Sequence, residues 1–286
     1  MLDVVAQSVI SGLINGLIYA MVALGLSVIY GVMDLINFAH GEFVMLAMYF
    51  TFWIVSFSGL DQTVAFLPAL PIFFLVGVLI YYGMLNRTMG TPLSQIALML
   101  GVAMVIRSFV QIAGGTAPKG LPPSFIFGVL NIGSLAISYS RVATAVVSLV
   151  LLIIVHLFLT KTYTGLSMLA ASDDRTAAYL MGINVKRIYA LAFGLGLALV
   201  TIPAAFLMTY QHADPSSYLR FGLLSWCIVA LAGLGRISGI IPAAIIVGIA
   251  ESLVVTFVAP EAHSLPIYLL FILVIWLKPK GLFGRK

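Results

Sequence analysis

The sequence predicts an all-α fold, a polytopic bundle of about eight to ten transmembrane helices that includes broken or short helices. Of the 286 residues, 62% are hydrophobic and only 8% are charged, whereas a soluble domain carries about 25% charged residues. Apolar runs of about 20 residues, the length that a helix needs to cross a bilayer, recur along the whole chain. The apolar–polar alternation of membrane-spanning strands is not seen, so helices are the expected spanning elements. We therefore expect a single transmembrane domain over residues 1–286.

The apolar runs and the polar breaks between them define the individual spans. The expected spans are residues 5–30, 40–57, 63–86, 92–113, 140–160, 189–210, 219–233, 238–258 and 264–278. The end of the first span is poorly marked, because residues 33–37 are too apolar for an ordinary loop. This pattern indicates a segment that stays at membrane depth after the first span.

The lysines and arginines predict the orientation, since they remain on the cytoplasmic side when they lie in short loops. Alternate threading of the spans assigns to one side Arg87, Lys161, Arg175, Lys186, Arg187, Arg236, Lys278, Lys280, Arg285 and Lys286. The other side receives only Lys119, Arg141 and Arg220. The first side and the C-terminus are therefore expected in the cytoplasm. Arg107 lies near the outer end of its span, where we expect its side chain to extend to the membrane interface.

Two further features bear on possible partners. The net charge of +5 follows from the topology, and the basic clusters with exposed aromatic residues that bind nucleic acid are not seen. Residues 114–139 form the longest outer connection, and their Gly- and Pro-rich beginning excludes a spanning helix. We expect this outer loop to be a docking surface for a partner outside the cytoplasm.

Residues 161–188 form the longest stretch of soluble character and are predicted to be a cytoplasmic loop. Ser172 can cap a short helix over residues 173–181, Gly182 can end it in a left-handed conformation, and Asn184 can cap the next span. Three- and four-residue spacing brings Ala177, Leu180 and Met181 to one face of this helix. An exposed apolar face indicates a partner surface, and the alternative is an amphipathic linker on the lipid headgroups.

Four polar residues in apolar surroundings are candidates for the interior of the protein. Asn37, His40 and Glu42 lie at the break before the second span, and Glu251 lies near the middle of a later span. Such groups must find partners within the membrane. They either hydrogen-bond a broken helix end or line a translocation path and its gate, as helix breaks do in transporters. For Glu251 the expected partner is His156 or a backbone carbonyl.

Catalysis by this chain is not predicted. The sequence has no Gly-Lys dipeptide and so no phosphate-binding P-loop, and it has no His-Glu-x-x-His motif or clustered Cys and His ligands for a metal. The serine at Ser167 and the pair Asp173 and Asp174 lie in the predicted cytoplasmic loop, away from any histidine that could activate a nucleophile.

Several segments together resemble a known family. They are residues 12–20 (GLINGLIYA), 37–43 (NFAHGEF), 165–166, 177–178, 182–184, the glycine-rich turn 233–235 and the C-terminal stretch 278–285. In order and spacing these segments resemble the branched-chain amino acid permeases of ATP-binding-cassette importers. The resemblance covers most of the chain apart from roughly residues 57–140.

The resemblance implies partners and roles that the residues alone do not give. It implies a second, homologous permease in a heterodimer, two cytoplasmic ATPase subunits, an extracytoplasmic solute-binding protein and a location in the inner cell membrane. ATP and Mg²⁺ would be used by the ATPases, with no cofactor in this chain. The residues expected to couple to the ATPases are Asp173, Asp174, Arg175, Ala177, Ala178, Leu180, Met181, Gly182 and Ile183. The implied solute is a branched-chain amino acid, or a related small solute such as urea or a short amide.

One alternative function remains from the residues themselves. An ion-coupled secondary transporter of a small polar solute would need ionisable groups within the membrane, and Glu42 and Glu251 could serve.

Overall fold

The computed structural model describes residues 2–132, 135–278 and 281–283. Its first half contains α1 (Leu2–Met33), α2 (His40–Ser58), α3 (Phe66–Ile80), α4 (Asn86–Thr88) and α5 (Pro92–Gly114). A hairpin of β1 (Val129–Ile132) and β2 (Leu135–Ser138) follows. The second half contains α6 (Tyr139–Lys161), α7 (Tyr163–Asp173), α8 (Arg175–Leu180), α9 (Val185–Leu207), α10 (Ser217–Ala232), α11 (Ile240–Phe257) and α12 (Leu265–Leu277). A π-helical turn, Tyr81–Leu85, joins α3 to α4.

The helices confirm the predicted bundle of spans. Among the described residues, seven helical stretches are long and apolar enough to cross a membrane: Asp3–Met33, His40–Ser58, Gln62–Thr88, Pro92–Gly114, Tyr139–Lys161, Val185–Leu207 and Ile237–Phe257. The shorter apolar helices Ser217–Ala232 and Ala262–Leu277 account for the two remaining predicted spans. Every predicted span therefore corresponds to a helix.

The core forms around α9 and α1. In the most apolar part of α9, 89% of the residues are buried, against 22% in α5, which lies at the periphery. Helices α1 and α11 cross closely, because a Cβ atom added at Gly12 or Gly16 would lie 2.6 or 2.7 Å from the Cα atom of Ile249 or Ile245. Small residues at such crossings allow two backbones to pack tightly in a membrane.

The loops sort into two ends of the bundle. One end, here the basic end, carries Arg87, Lys161, Lys186, Arg187 and Arg236. Loop 161–184 lies at this end, since the hydroxyl of Ser172 donates to the carbonyl of Gly31 near the last turn of α1. The opposite end, the hairpin end, carries β1 and β2, and there Gln7 at the start of α1 donates to the carbonyl of Ala136.

The predicted charge sorting holds for these loops, with one correction. Arg220 does not lie at the hairpin end but in the first turn of α10, where it contacts α1 and α11 inside the bundle. The basic residues Lys280, Arg285 and Lys286 lie outside the described residues, as do parts of the C-terminal stretch 278–285.

The outer loop contains structure that the sequence did not indicate. Strands β1 and β2 pair antiparallel, with Val129 opposite Ser138 and Ile132 opposite Leu135. Lys119 forms a further antiparallel bridge with Ala213, which ties this loop to the connection between α9 and α10. Strands of four residues are too short to show a clear alternation of apolar and polar residues.

The break after α1 lies inside the bundle, as predicted. Asp34 ends the helix with φ at +52°, a left-handed conformation that Asp tolerates better than most residues. The chain then turns inward, and the ring of His40 at the start of α2 reaches the carbonyl of Val22 at 3.0 Å. Val22 precedes Met33 by 11 positions, so α2 begins about 16 Å from the basic end of α1.

Candidate functional site

Two helix N-termini meet inside the bundle. Helix α2 begins at His40 and α10 begins at Ser217, and the two cross so closely that a Cβ atom at Gly41 would lie 2.7 Å from the nitrogen of Gly222. The N-terminus of a helix carries a partial positive charge, and carboxylates near it are stabilised. Glu42 occupies the first turn of α2 and supplies such a carboxylate.

Glu42 pairs with an arginine from the peripheral helix α5. Both Nε and Nη2 of Arg107 donate to Oε1 of Glu42, with Nε at 2.8 Å. The Arg107 guanidinium also lies 3.8 Å from the centre of the Tyr218 ring, within the range of a cation–π interaction. The Glu42 side chain is only 3% exposed, whereas that of Arg107 is 35% exposed.

This pair corrects the expectation that Arg107 extends to the membrane interface. The guanidinium instead remains beside Glu42, because an unpaired carboxylate within the membrane would be unfavourable. The signal in the sequence was a lone arginine within an otherwise apolar span, and its partner lies 65 positions earlier in the chain.

The pair opens onto a surface depression that we call the α2–α10 cleft. Its volume is about 410 Å³, and its lining includes Phe38, Glu42, Arg107, Tyr218, Leu223 and Trp226. The Phe38 and Trp226 rings lie 5.7 Å apart. The cleft therefore combines one pair of opposite charges with aromatic and aliphatic walls, a composition typical of small-molecule sites.

Asn37 and His40 shape the break between α1 and α2. Oδ1 of Asn37 accepts from the backbone nitrogen of Ala39 at 3.1 Å, which supports the turn into α2. The His40 ring donates through Nε2 to the carbonyl of Val22, since a carbonyl can only accept. Both side chains are fully buried. Their geometry favours the reading in which they hydrogen-bond a broken helix end.

Glu251 has a partner that the sequence analysis did not name. Its Oε1 accepts from Nη2 of Arg220 at 3.1 Å, and the same nitrogen donates to the Tyr19 hydroxyl at 3.1 Å. The prediction of His156 or a backbone carbonyl was wrong, because His156 is exposed on α6. The sequence assigns Arg220 to the outer side, because it lies at the very start of its predicted span, residues 219–233.

The loop at the basic end contains the predicted short helix, but its bounds and its N-cap residue differ from the prediction. Helix α8 spans Arg175–Leu180, and Oδ1 of Asp174 caps it by accepting from the nitrogens of Thr176 and Ala177 at 2.8 and 2.9 Å. Ser172 is not the cap, because α7 continues through Asp173 and the Ser172 hydroxyl bonds to Gly31.

Two other signals in this loop are confirmed. Gly182 ends the α8 turn with φ at +85°, a left-handed conformation that favours glycine. Asn184 caps α9 by accepting from the nitrogen of Arg187 at 3.1 Å.

The predicted apolar face of α8 is exposed. Leu180 is 77% and Met181 is 83% exposed, and Tyr179, which the sequence analysis did not include, is also exposed. Ala177 is exposed as well, whereas Ala178 is buried and faces the bundle. We name the exposed set Tyr179, Leu180 and Met181 the α8 knob.

Three other residues of the predicted coupling set hold or flank the α8 knob. Nε of Arg175 donates to the Tyr189 hydroxyl at 3.2 Å, which joins α8 to α9. The nitrogen of Ile183 donates to the carbonyl of Ala178 at 3.0 Å and continues the turn after α8. Asp173 is exposed at the end of α7.

Comparison with known proteins identifies the family. The family described as branched-chain amino acid transport system / permease component matches residues 8–275. The chain belongs to this family. It is a multi-pass membrane permease component, and family membership does not favour the ion-coupled secondary transporter.

Named relatives match nearly the whole chain. The high-affinity branched-chain amino acid transport system permease protein BraD of Pseudomonas aeruginosa is 28% identical, over 98% of this chain and 95% of BraD. The corresponding protein LivH of Escherichia coli K12 is 27% identical over the same shares of the two chains. A probable branched-chain amino acid transport permease protein LivH of Methanocaldococcus jannaschii is 25% identical, over 84% of this chain and 78% of its own length.

A solved structure shares the fold. PsaBC from Streptococcus pneumoniae in complex with Fab aligns with a TM-score of 0.54 and 14% identity, over 94% of this chain and 91% of the matched one. At this identity the similarity concerns the arrangement of helices alone.

Proposed function

We propose that this chain is one of two homologous permeases of a cell-membrane importer that moves branched-chain amino acids inward. A binding protein outside the cell delivers the solute, and two cytoplasmic ATPases that bind ATP and Mg²⁺ drive the transport. The names of the relatives support the solute class. The missing P-loop supports ATP hydrolysis in separate chains.

The observation that carries this proposal is the Glu42–Arg107 pair on the side of the bundle. The Arg107 side chain is 35% exposed, and its partner Glu42 lies in the first turn of α2, which begins inside the bundle. A charged residue facing lipid at that depth costs about 2.5–3.5 kcal/mol. A second permease that shares a polar, water-containing path with this one would cover this face and avoid that cost, which supports the proposal.

The basic end supports the placement of the ATPases. Lysines and arginines of short loops favour the cytoplasmic side, so we assign the basic end and the C-terminus to the cytoplasm. The α8 knob then presents two large apolar side chains, Leu180 and Met181, to the cytoplasm. Exposed apolar groups of this kind mark protein-binding surfaces.

The rest of the predicted coupling set supports the knob in different ways. Asp174 caps α8, Ala178 anchors it, and Gly182 gives it a sharp end. An added Cβ atom at Gly182 would meet no atom within 4 Å in this chain, so Gly182 acts through its backbone conformation. We propose that these residues together fix the direction in which the α8 knob points.

Removal of the apolar character of the α8 knob tests the ATPase assignment. In the assembled importer, Met181→Asp should lower the amount of copurified ATPase about tenfold, because a charge replaces a side chain that is expected to fill an apolar groove. ATP-driven uptake of leucine into vesicles should fall in parallel. The matched control is Leu166→Asp, which changes an exposed leucine of the neighbouring helix α7.

The control should leave both ATPase content and uptake near normal. Normal ATPase binding together with normal uptake in Met181→Asp would contradict the proposed docking site. Equal losses in the two variants would show a general effect of charge on this loop.

A further inference from the structure

We propose that the α2–α10 cleft holds the solute as a zwitterion, with Arg107 binding its carboxylate and Glu42 binding its ammonium group. Phe38, Leu223 and Trp226 would contact an aliphatic side chain. This inference rests on the proposed function, because it takes the cleft to be part of the translocation path. It adds the site that holds this solute and the groups that recognise each end of it.

Glu42 and Arg107 do not satisfy all of each other's hydrogen-bonding groups. Both bonding nitrogens of Arg107 donate to one oxygen, Oε1 of Glu42. Among the described residues, neither Nη1 of Arg107 nor Oε2 of Glu42 has a hydrogen-bond partner. The guanidinium therefore keeps a free donor and the carboxylate keeps a free acceptor, and an α-amino acid offers a carboxylate that accepts and an ammonium group that donates.

The position of the guanidinium suits this role. Arg107 lies 3.8 Å over the face of the Tyr218 ring, which restrains the guanidinium without using its hydrogen-bond donors. The first turn of α10 also begins beside Tyr218, so the positive end of that helix faces the same region. A carboxylate is favoured near both groups.

The remaining walls fit an apolar side chain. Phe38 is 44% exposed and Leu223 is 37% exposed, and both line the cleft with Trp226. Burying the aliphatic surface of the solute against these side chains stabilises the bound state. Urea has neither opposite charges nor an apolar part, so the cleft gives it no comparable set of contacts.

The second ion pair of the chain shows what a purely structural pair looks like here. In the Arg220–Glu251 pair, the same arginine nitrogen also bonds to Tyr19, and the pair lies between α1, α10 and α11. The Glu42–Arg107 pair instead borders a cleft of about 410 Å³ with aromatic walls. The cleft is therefore the feature that indicates a ligand-binding site.

Protection of an introduced cysteine tests the proposal in the whole importer complex without ATP. Leu223→Cys places a thiol in the cleft, while the native Cys227 is buried. At a leucine concentration about ten times its dissociation constant, maleimide labelling of this thiol should slow about tenfold. Leucinol, which lacks the carboxylate, 4-methylpentanoate, which lacks the ammonium group, and urea should slow labelling much less at the same concentration.

Two variants exclude indirect effects. The double variant Glu42→Gln, Arg107→Gln removes both charges together and so leaves no unpaired charge within the membrane, and it should assemble and lose the protection by leucine. A thiol at Leu166, which is exposed on α7 far from the cleft, should be labelled at the same rate with and without leucine.

The outcomes separate this inference from the proposed function. Equal protection by leucine and leucinol, or full protection by leucine in the double variant, would overturn the zwitterion site even if ATP-driven leucine uptake is normal. Absence of ATP-driven leucine uptake by the unmodified complex would overturn the proposed function. The labelling experiment needs no ATP and decides the zwitterion site by itself.

Discussion

The two arginine–carboxylate pairs of this protein are similar in burial and different in surroundings. The Glu42 and Glu251 side chains are 3% and 5% exposed, and their partners Arg107 and Arg220 are 35% and 32% exposed. One pair joins α2 to the peripheral helix α5. The other joins α10 to α11 and, through Tyr19, to α1.

The difference shows that burial of a charge does not by itself reveal its role. Helices α1 and α11 cross closely at Gly12 and Gly16, and the Arg220–Glu251 pair lies where α10 meets these two helices. Helix α5 is mostly exposed, and the Glu42–Arg107 pair lies at its contact with α2, beside the α2–α10 cleft. We therefore propose a structural role for the Arg220–Glu251 pair and a role in transport for the Glu42–Arg107 pair.

The largest expected effect comes from breaking the structural pair. Glu251→Gln keeps an amide oxygen that can accept from Arg220 but removes the negative charge that balances it, and the loss of one partner of a buried ion pair costs about 3–5 kcal/mol. The thermal unfolding midpoint of the purified complex in detergent should fall strongly, together with the yield of assembled protein. The matched variant Glu42→Gln should lower the midpoint less, because Arg107 keeps its contact with Tyr218 and faces the open cleft. Equal losses of stability would contradict the distinction between the two pairs.

A smaller effect is expected from the ring that restrains Arg107. Tyr218→Leu removes a cation–π contact worth about 0.5–2 kcal/mol, so Arg107 should lose its fixed position and leucine uptake should fall severalfold. Tyr218→Phe keeps the ring and should retain nearly normal uptake. Uptake at increasing concentrations of loaded binding protein checks the comparison, with assembly monitored by size-exclusion chromatography. Equal uptake in the leucine and phenylalanine variants would show that the ring does not position Arg107.

The sequence was sufficient to predict the helices but not the partners of the charged residues. Apolar runs of about 20 residues are a local signal, and this is why every predicted span corresponds to a helix. The partners of Glu42 and Glu251 depend on how distant helices pack, and Arg107 lies 65 positions from Glu42. An arginine near the end of a predicted span also has a plausible position outside the membrane core, so the sequence places Arg107 at the interface and Arg220 on the outer side.

The α8 region shows the same limit on a smaller scale. Ser172 and Asp174 are both good N-cap residues, and their sequence alone does not decide between them. The choice depends on α7, which continues through Asp173 and makes Asp174 the residue that precedes α8. The left-handed turn at Gly182 was predictable because glycine after a short helix is a strong local signal.

The smallest expected effect concerns a third carboxylate, at the hairpin end and outside the membrane-spanning segments. Within the part of the chain that the structure describes, Asp61 has no arginine partner, and neutral groups hydrogen-bond it instead. Its Oδ1 accepts from the nitrogen of Thr63 at 2.8 Å and from the hydroxyl of Ser124 at 3.0 Å, and its Oδ2 accepts from the nitrogen of Phe125 at 2.9 Å. Partial burial acts to raise the pKa of Asp61, but these hydrogen bonds outweigh it and hold the pKa below its ordinary value of 3.8.

The sign of the pH dependence follows from this lowered pKa. A carboxyl group with a folded-state pKa below its unfolded value stabilises the fold above the unfolded value, and the contribution is lost as the pH falls through the folded value. Amide hydrogen exchange in residues 120–127, corrected for its intrinsic pH dependence, should therefore become faster as the pH is lowered from about 5 to below about 3.8. Asp61→Asn removes the titrating group and should abolish this change. If the variant kept the same pH dependence, a group other than Asp61 would cause it. The hydrogen bonds that neutral groups donate to Asp61 would then not stabilise the outer loop.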